Sequence, residues 1–328
     1  MKLLIATHHR LDLWIAPGWF AERLRKEFPQ LEVVRLTTYE GIEKQLADVD
    51  ILFTQSLRRE QFAVASTLRW IHSPAAAVHQ FLFPELINSN VILTNAREVH
   101  GPVVAEHVIA VILALAKRIP QSVRFQQKHI WGQEILWRDR ATPAEIGDAT
   151  LGLVGLGSIG RNVAKRASSL GMHVICVREH SESEKPGGVQ EVLPPSRLND
   201  LLGRADYVVL AIPVTAATQG IIGRKQLSQM RPEAYIINVG RGPLIDDTAL
   251  VEALRDGKIA GAALDVFDQE PLPTDSPLWD LENVLITPHT AGMTTKLWER
   301  HYKLFSENLR RFLSGQPLLA MVDKQRGY

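Results

Sequence analysis

The sequence predicts an α/β fold of two domains, each built on a parallel sheet with helices on both faces. Three observations carry this. The chain has 328 residues, and a domain usually takes roughly 100–200. Short apolar runs alternate with helical patterns through the first hundred residues. The same alternation begins afresh at Thr150, and the short connections suit parallel sheets covered on both sides.

In the first series Leu3–Thr7, Glu32–Leu36, Ile51–Thr54, Trp70–Ser73 and Val91–Thr94 read as buried strands. Phe20–Phe28, Gly41–Leu46 and Glu60–Ala65 have helical spacing. Pro102 then opens a long apolar helix reaching about Arg118, since proline is tolerated in a first turn. Gln121–Asp148, polar with Trp131 and Trp137 interleaved, reads as an irregular excursion. In the second series Leu151–Val154, Val174–Val177, Tyr207–Ala211, Tyr235–Val239, Gly261–Leu264 and Val284–Thr287 read as strands. Helices fit Ile159–Leu170, Arg197–Gly203, Arg224–Met230 and Asp247–Asp256, and a last one fits Thr294–Leu313. No fixed-period repeat or low-complexity tract interrupts the pattern.

Composition narrows the function classes. Lys+Arg total 37 against Asp+Glu 36, which is not the basic balance of a nucleic-acid binder. Cys176 is the only cysteine. An intrachain disulfide and a cysteine-based metal site are therefore out, in keeping with a reducing compartment. Histidines and charges follow the short apolar N-terminus too soon for a signal peptide. The most apolar helical stretch, Val103–Ala116, is too short to span a bilayer and contains Glu106 and His107. The expectation is a cytoplasmic protein with no membrane partner, no nucleic acid and no metal.

The strongest local motif is Gly155-Leu156-Gly157-Ser158-Ile159-Gly160. It follows an apolar strand and opens a helical run, the setting in which GxGxxG binds a dinucleotide. Gly155 permits the tight turn, Gly157 lets the backbone approach a pyrophosphate, and Gly160 lets helix and strand pack closely. Ser158 and Ile159 begin the helix whose free N–H groups face the phosphates. An acidic residue about 20 residues on would bind the ribose of NAD. Arg178 stands there instead, with Glu179 next to it. A guanidinium pairs with a 2′-phosphate, so NADP is the preferred cofactor and NAD the alternative. The competing reading of Arg178 is a solvated surface charge.

Three later segments place polar groups just after apolar strands: Asn238-Val239-Gly240-Arg241-Gly242, Leu264 to Pro271, and Thr287 to Gly292. Ligands in open α/β sheets sit at the carboxyl ends of strands. Reducing a 2-keto acid needs a cation for the carboxylate, which Arg241 offers. It also needs a proton donor for the developing alkoxide, which His289 offers. Glu270 is placed to hold the far nitrogen of His289.

From about Pro102 to Gly292 the sequence resembles the D-isomer-specific 2-hydroxyacid dehydrogenases, which include glyoxylate/hydroxypyruvate reductases and phosphoglycerate dehydrogenases. The matching words are Val104-Ala105-Glu106-His107, the GxGxxG, Ile212-Pro213-Val214-Thr215 with Thr218, Asn238–Gly242, LDVFDQEP and TPHTAG. The resemblance implies the roles given to Arg241, Glu270 and His289. It makes Asp265 a partner of the nicotinamide carboxamide and puts Pro213, Thr218, Val239 and Gly292 beside the cofactor. It further implies a discontinuous, flavodoxin-like substrate domain of 1–99 plus 291–328, a Rossmann domain of 100–290, and an active site in the cleft between them. A homodimer through the Pro102–Arg118 helix region is implied as well.

One stretch departs from the family pattern. Where a Gly-Ala-Gly-Val-Asp loop usually offers its amides to the substrate carboxylate, this chain has Ala75-Ala76-Ala77-Val78-His79. Alanine adopts the glycine conformation only with strain, so the loop's shape and the substrate's identity are open. His79, His8, His9, His100 and His107 read as capping, packing or exposed residues. The rival reading is an NAD(H)-sensing corepressor-like binding protein on the same fold, which cofactor turnover with 2-keto acids separates from an enzyme.

Overall fold

A computed structural model describes the chain except residues 37, 140, 182, 183 and 328. The chain divides into two compact units, Met1–His100 with Met293–Tyr328, and Gly101–Gly292.

The first unit holds a five-stranded sheet of β1 (Lys2–Ala6), β2 (Glu32–Leu36), β3 (Ile51–Thr54), β4 (Trp70–Ser73) and β5 (Ile92–Asn95). All neighbours are parallel and the order is β2-β1-β3-β4-β5. Every residue of β3 and β4 is buried, as a sheet covered on both faces requires. On one face Phe20, Phe53 and Trp70 pack with Trp298 and Phe305. The last two come from Leu297–Leu313, the returning C-terminal helix. Leu4, Leu52, Ile71 and Phe81 fill the other face. Burying each such side chain contributes about 1.5–3 kcal/mol.

The second unit holds seven parallel strands: β6 (Thr150–Val154), β7 (His173–Val177), β8 (Glu191–Leu193), β9 (Tyr207–Leu210), β10 (Tyr235–Asn238), β11 (Gly261–Leu264) and β12 (Val284–Ile286). Their order is β12-β11-β10-β9-β6-β7-β8. The order reverses between β6 and β9, where such sheets bind ligands. Strand β8 was not foreseen. It has three residues, of which only Leu193 is fully buried, too few for periodicity to register.

Three expectations about the middle of the chain need correction. The long helix is Arg97–Ala116, with Pro102 inside it rather than at its start. Pro102 forfeits one backbone bond. The turn before it forms nonetheless, with Arg97 N donating to Asn95 Oδ1 and Val99 N to the Ala96 carbonyl. At 20 residues the helix is long enough to cross a membrane, but 56% of its most apolar stretch is buried inside the protein, as in the core helix of a globular protein. Its far end is Ala116, not Arg118, which takes a left-handed conformation at the start of the next helix. The excursion after it contains two helices, Ile119–Gln127 and Gln133–Arg138. Neither buries any residue fully, so no core-facing stripe marked them.

Candidate active site

In the second unit the segment after β6 has the shape of a phosphate cradle. Gly155 has φ +102°, and a Cβ there would lie 2.6 Å from the Ala211 carbonyl oxygen. A Cβ on Gly160 would lie 2.2 Å from the Gly155 carbonyl oxygen, so both positions require glycine. No atom lies within 4 Å of the Cβ that Gly157 lacks, apart from its chain neighbours, which leaves room in front of the loop. The helix Ser158–Ser169 starts at Gly157 with no side-chain cap and no acidic residue in its first turn. Its first-turn amides and positive dipole are therefore available to an anion. These residues fit a dinucleotide.

The neighbouring loops complete this end of the sheet. Pro213, exposed after β9, is the next residue after Ile212, which packs against Gly155. Thr218 closes the following turn, accepting from Thr215 N at 2.7 Å and donating to the Pro213 carbonyl at 2.7 Å. Arg178 follows β7 and is half-buried. Its backbone N–H donates to Leu193 of β8, and its guanidinium donates to the Glu184 carbonyl at 3.0 Å.

The three proposed chemical groups come from consecutive neighbouring strands. Arg241 follows β10, Glu270 lies on the loop after β11, and His289 follows β12. The turn carrying Arg241 is tied by Asn238, which is almost wholly buried. Its side-chain oxygen accepts from Gly240 N at 3.0 Å and its nitrogen donates to the Arg241 carbonyl at 2.9 Å. Arg241 Nη1 donates to the Gly240 carbonyl at 2.7 Å. Burial draws its pKa below the ordinary value, with the Glu270 charge pushing the other way. An arginine in these surroundings stays charged.

Glu270 uses both oxygens. Oε1 accepts from Phe267 N at 3.0 Å, and Oε2 receives His289 Nδ1–H at 2.6 Å. This leaves Nε2 of the imidazole as the nitrogen free for chemistry. His289 has φ +53°, a conformation a non-glycine residue holds only where its surroundings over-determine it. Its N–H donates to the carbonyls of Asp265 and Thr287 at 2.9 and 3.0 Å.

Asp265 is the centre of this turn. Its buried carboxylate accepts from Thr287 Oγ1 at 2.6 Å, from Thr290 N at 2.9 Å and from Ala291 N at 3.1 Å. Val239 is buried and Gly292 half-buried at the ends of the loops that carry Arg241 and His289. Sequence reasoning gave no site role to Asn238 or Thr287 and read His107, whose Nε2 lies 3.3 Å from Thr287 Oγ1, as a capping, packing or exposed residue. Their one legible signal was membership of the motif words.

The Ala75–Ala77 loop belongs to the first unit, at the carboxyl end of β4. The Ala75 carbonyl accepts from Ala96 N at 3.1 Å and the Ala76 carbonyl from Asn95 Nδ2 at 2.7 Å. The loop is thus pinned through its carbonyls, and the amides of Ala76 and Ala77 have no acceptor among the described residues. None of the three alanines has a positive φ. The expected strain is absent because the loop does not need the glycine conformation. Among the described residues no group of three metal-binding side chains occurs.

A family model, D-isomer specific 2-hydroxyacid dehydrogenase, NAD binding domain, matches residues 109–291. The chain is 34% identical over 301 residues to D-3-phosphoglycerate dehydrogenase of Methanocaldococcus jannaschii, covering 90% of this chain but only 56% of that longer protein. It is 34% identical over 293 residues to glyoxylate reductase of Thermofilum pendens, covering 87% of this chain and 85% of the relative. A crystal structure of an NADPH-dependent glyoxylate/hydroxypyruvate reductase from Sinorhizobium meliloti, in complex with NADP and sulfate, matches with TM-score 0.83 and 27% identity over 100% of both chains. The chain belongs to the D-isomer specific 2-hydroxyacid dehydrogenase family and is an NAD(P)-dependent oxidoreductase.

Proposed function

We propose that this protein reduces a small 2-keto acid to the D-2-hydroxy acid, with NADPH preferred. The observation that carries the reading is the 2.6 Å contact from His289 Nδ1 to Glu270, on loops adjoining the one that carries Arg241. Relatives named glyoxylate reductase support a compact substrate. The nicotinamide, when bound, supplies or takes the hydride. Arg241 pairs with the substrate carboxylate and polarises the ketone oxygen. His289 delivers a proton from Nε2 to the developing alkoxide, while Glu270 orients the ring and stabilises the imidazolium. Asp265 accepts from the nicotinamide carboxamide. Gly155–Gly160, Pro213, Thr218, Val239 and Gly292 border the cofactor, and Arg178 pairs with the 2′-phosphate.

The first unit serves as the substrate domain and the second as the dinucleotide domain. The undonated amides of Ala76 and Ala77 suit a carboxylate, with Ala75 fixing the loop. We place the protein in the cytoplasm as a homodimer formed through the long-helix region, Pro102–Arg118. The test is a panel of glyoxylate, hydroxypyruvate and phenylpyruvate with each cofactor. NADPH oxidation with at least one acid is expected. No turnover with any acid and either cofactor would sink the enzyme reading for these substrates.

A further inference from the structure

We propose that His107 is a positioning residue of this site: it donates through Thr287 into Asp265 and so fixes the turn that carries His289. The inference rests on the assignment of His289 as the acid/base group. His107 lies on the helix Arg97–Ala116, far along the chain from the three chemical groups. Its Nε2 is 3.3 Å from Thr287 Oγ1 and 4.0 Å from Asp265 Oδ1.

The direction of each bond follows from counting protons. A carboxylate only accepts, so the 2.6 Å contact from Thr287 Oγ1 to Asp265 Oδ1 uses the hydroxyl's single proton. Thr287 can then only accept from His107, and His107 Nε2 must bring its own hydrogen. The ring is half-buried. Burial lowers its pKa below the ordinary value, with Asp265 acting in the opposite sense. A neutral Nε2–H tautomer satisfies both conditions.

What the chain of bonds holds is a strained turn. Thr287, Thr290 and Ala291 all donate to the Asp265 carboxylate. His289, between them, has φ +53° and donates its N–H to the Asp265 carbonyl. Rotation of the Asp265 carboxylate would release Thr290 and Ala291 and with them the direction of the His289 ring. Thr287 donates to Oδ1, the oxygen that also accepts from Thr290 N, and His107 holds the Thr287 hydroxyl in that direction.

Two measurements test this. Nitrogen-15 spectra of the imidazoles in cofactor-free protein should show His107 as the Nε2–H tautomer; the Nδ1–H tautomer would overturn the proposal whatever the activity. In turnover, His107→Leu and Thr287→Val should each lower kcat about tenfold, the effect of one lost hydrogen bond, with the keto-acid KM little changed. The double variant should also lose about tenfold, because one chain of bonds is broken in both places. His107→Gln, whose side-chain N–H reaches the same hydroxyl, should recover most of kcat. Losses that multiply to about a hundredfold, or a Gln variant no better than Leu, overturn it. A fully active His289→Ala protein would remove only the acid/base reading. The tautomer, and whether the double variant's losses multiply, would still decide the role of His107.

Discussion

Gly242 lies so close to the loop after β11 that a methyl group on it would sit 1.9 Å from the Phe267 carbonyl carbon and 2.1 Å from Asp268 N. Phe267 N in turn donates to Glu270. The glycine that follows Arg241 therefore sets how closely the loop carrying Glu270 approaches the loop carrying Arg241. Gly242→Ala should push Phe267 away, destabilise the protein by about 1–3 kcal/mol from overpacking, and lower kcat/KM. A variant with unchanged Tm and activity would show that the loop yields freely.

His289→Ala should reduce kcat by about 10²–10⁴, the usual worth of a positioned general acid. Cofactor affinity should change little. Steady-state kinetics with the best acid of the panel, together with cofactor binding by fluorescence, check both parts.

For Arg241, replacement by alanine should cut kcat/KM by about 10²–10³, the loss typical of one oxyanion donor. Arg241→Lys should remain well below wild type, because an ammonium cannot reproduce a planar two-point contact. A lysine variant with wild-type kcat/KM would reduce the role of Arg241 to that of a point charge.

Arg178→Ser should weaken NADPH binding by roughly ten- to a hundredfold, as expected for one charge-assisted hydrogen bond, and leave NADH binding nearly unchanged. Equal losses for the two cofactors would mean that the residue braces the β7–β8 edge rather than reading a 2′-phosphate.

Acid should destabilise the first unit through two buried histidines. His72, on β4, shares a 2.8 Å hydrogen bond between its Nδ1 and Thr94 Oγ1, and its ring stacks on Phe53. Burial pushes its pKa down to about 3. His301, buried against Trp298 and Phe53, is held well below its ordinary value by burial, with His100 and His72 acting in the same sense. The unfolded chain protonates these rings near pH 6.5. Between about pH 6.5 and 3 it therefore binds more protons than the native state, and stability falls as pH drops through that window. Each ring adds up to about 1.4 kcal/mol per pH unit. His72→Phe should reduce the proton uptake on unfolding at pH 5 by about one, whatever it does to absolute stability. Unchanged uptake would show that His72 is already charged in the native protein.

Most strands of both sheets were legible from apolar runs because they are buried on two faces and carry few polar interruptions. Gly155, Arg241 and His289 were legible because each stands just after such a run, and Glu270 because it falls within the LDVFDQEP word. The rest depended on contacts that leave no periodic trace. Strand β8 is too short and too half-buried to register. The helices Ile119–Gln127 and Gln133–Arg138 turn no apolar stripe to a core. Pro102 misplaced a helix start because Asn95 and Ala96 begin the turn ahead of it. The alanine loop looked strained only on the assumption that it copies a glycine conformation. Thr287 and His107 meet across a separation of 180 residues, which no local pattern encodes.

The surroundings of Asp265 have a polarity that constrains how the position can be studied. Among the described residues, the contacts its carboxylate makes at hydrogen-bond distance come from a hydroxyl and two backbone amides, all of them donors. Asparagine, the usual charge-removing replacement, would turn an NH₂ group toward at least one of those N–H groups and open the turn. An Asp265→Asn protein would therefore report a donor collision together with the missing charge, and a loss of activity in it could not be assigned to the charge alone.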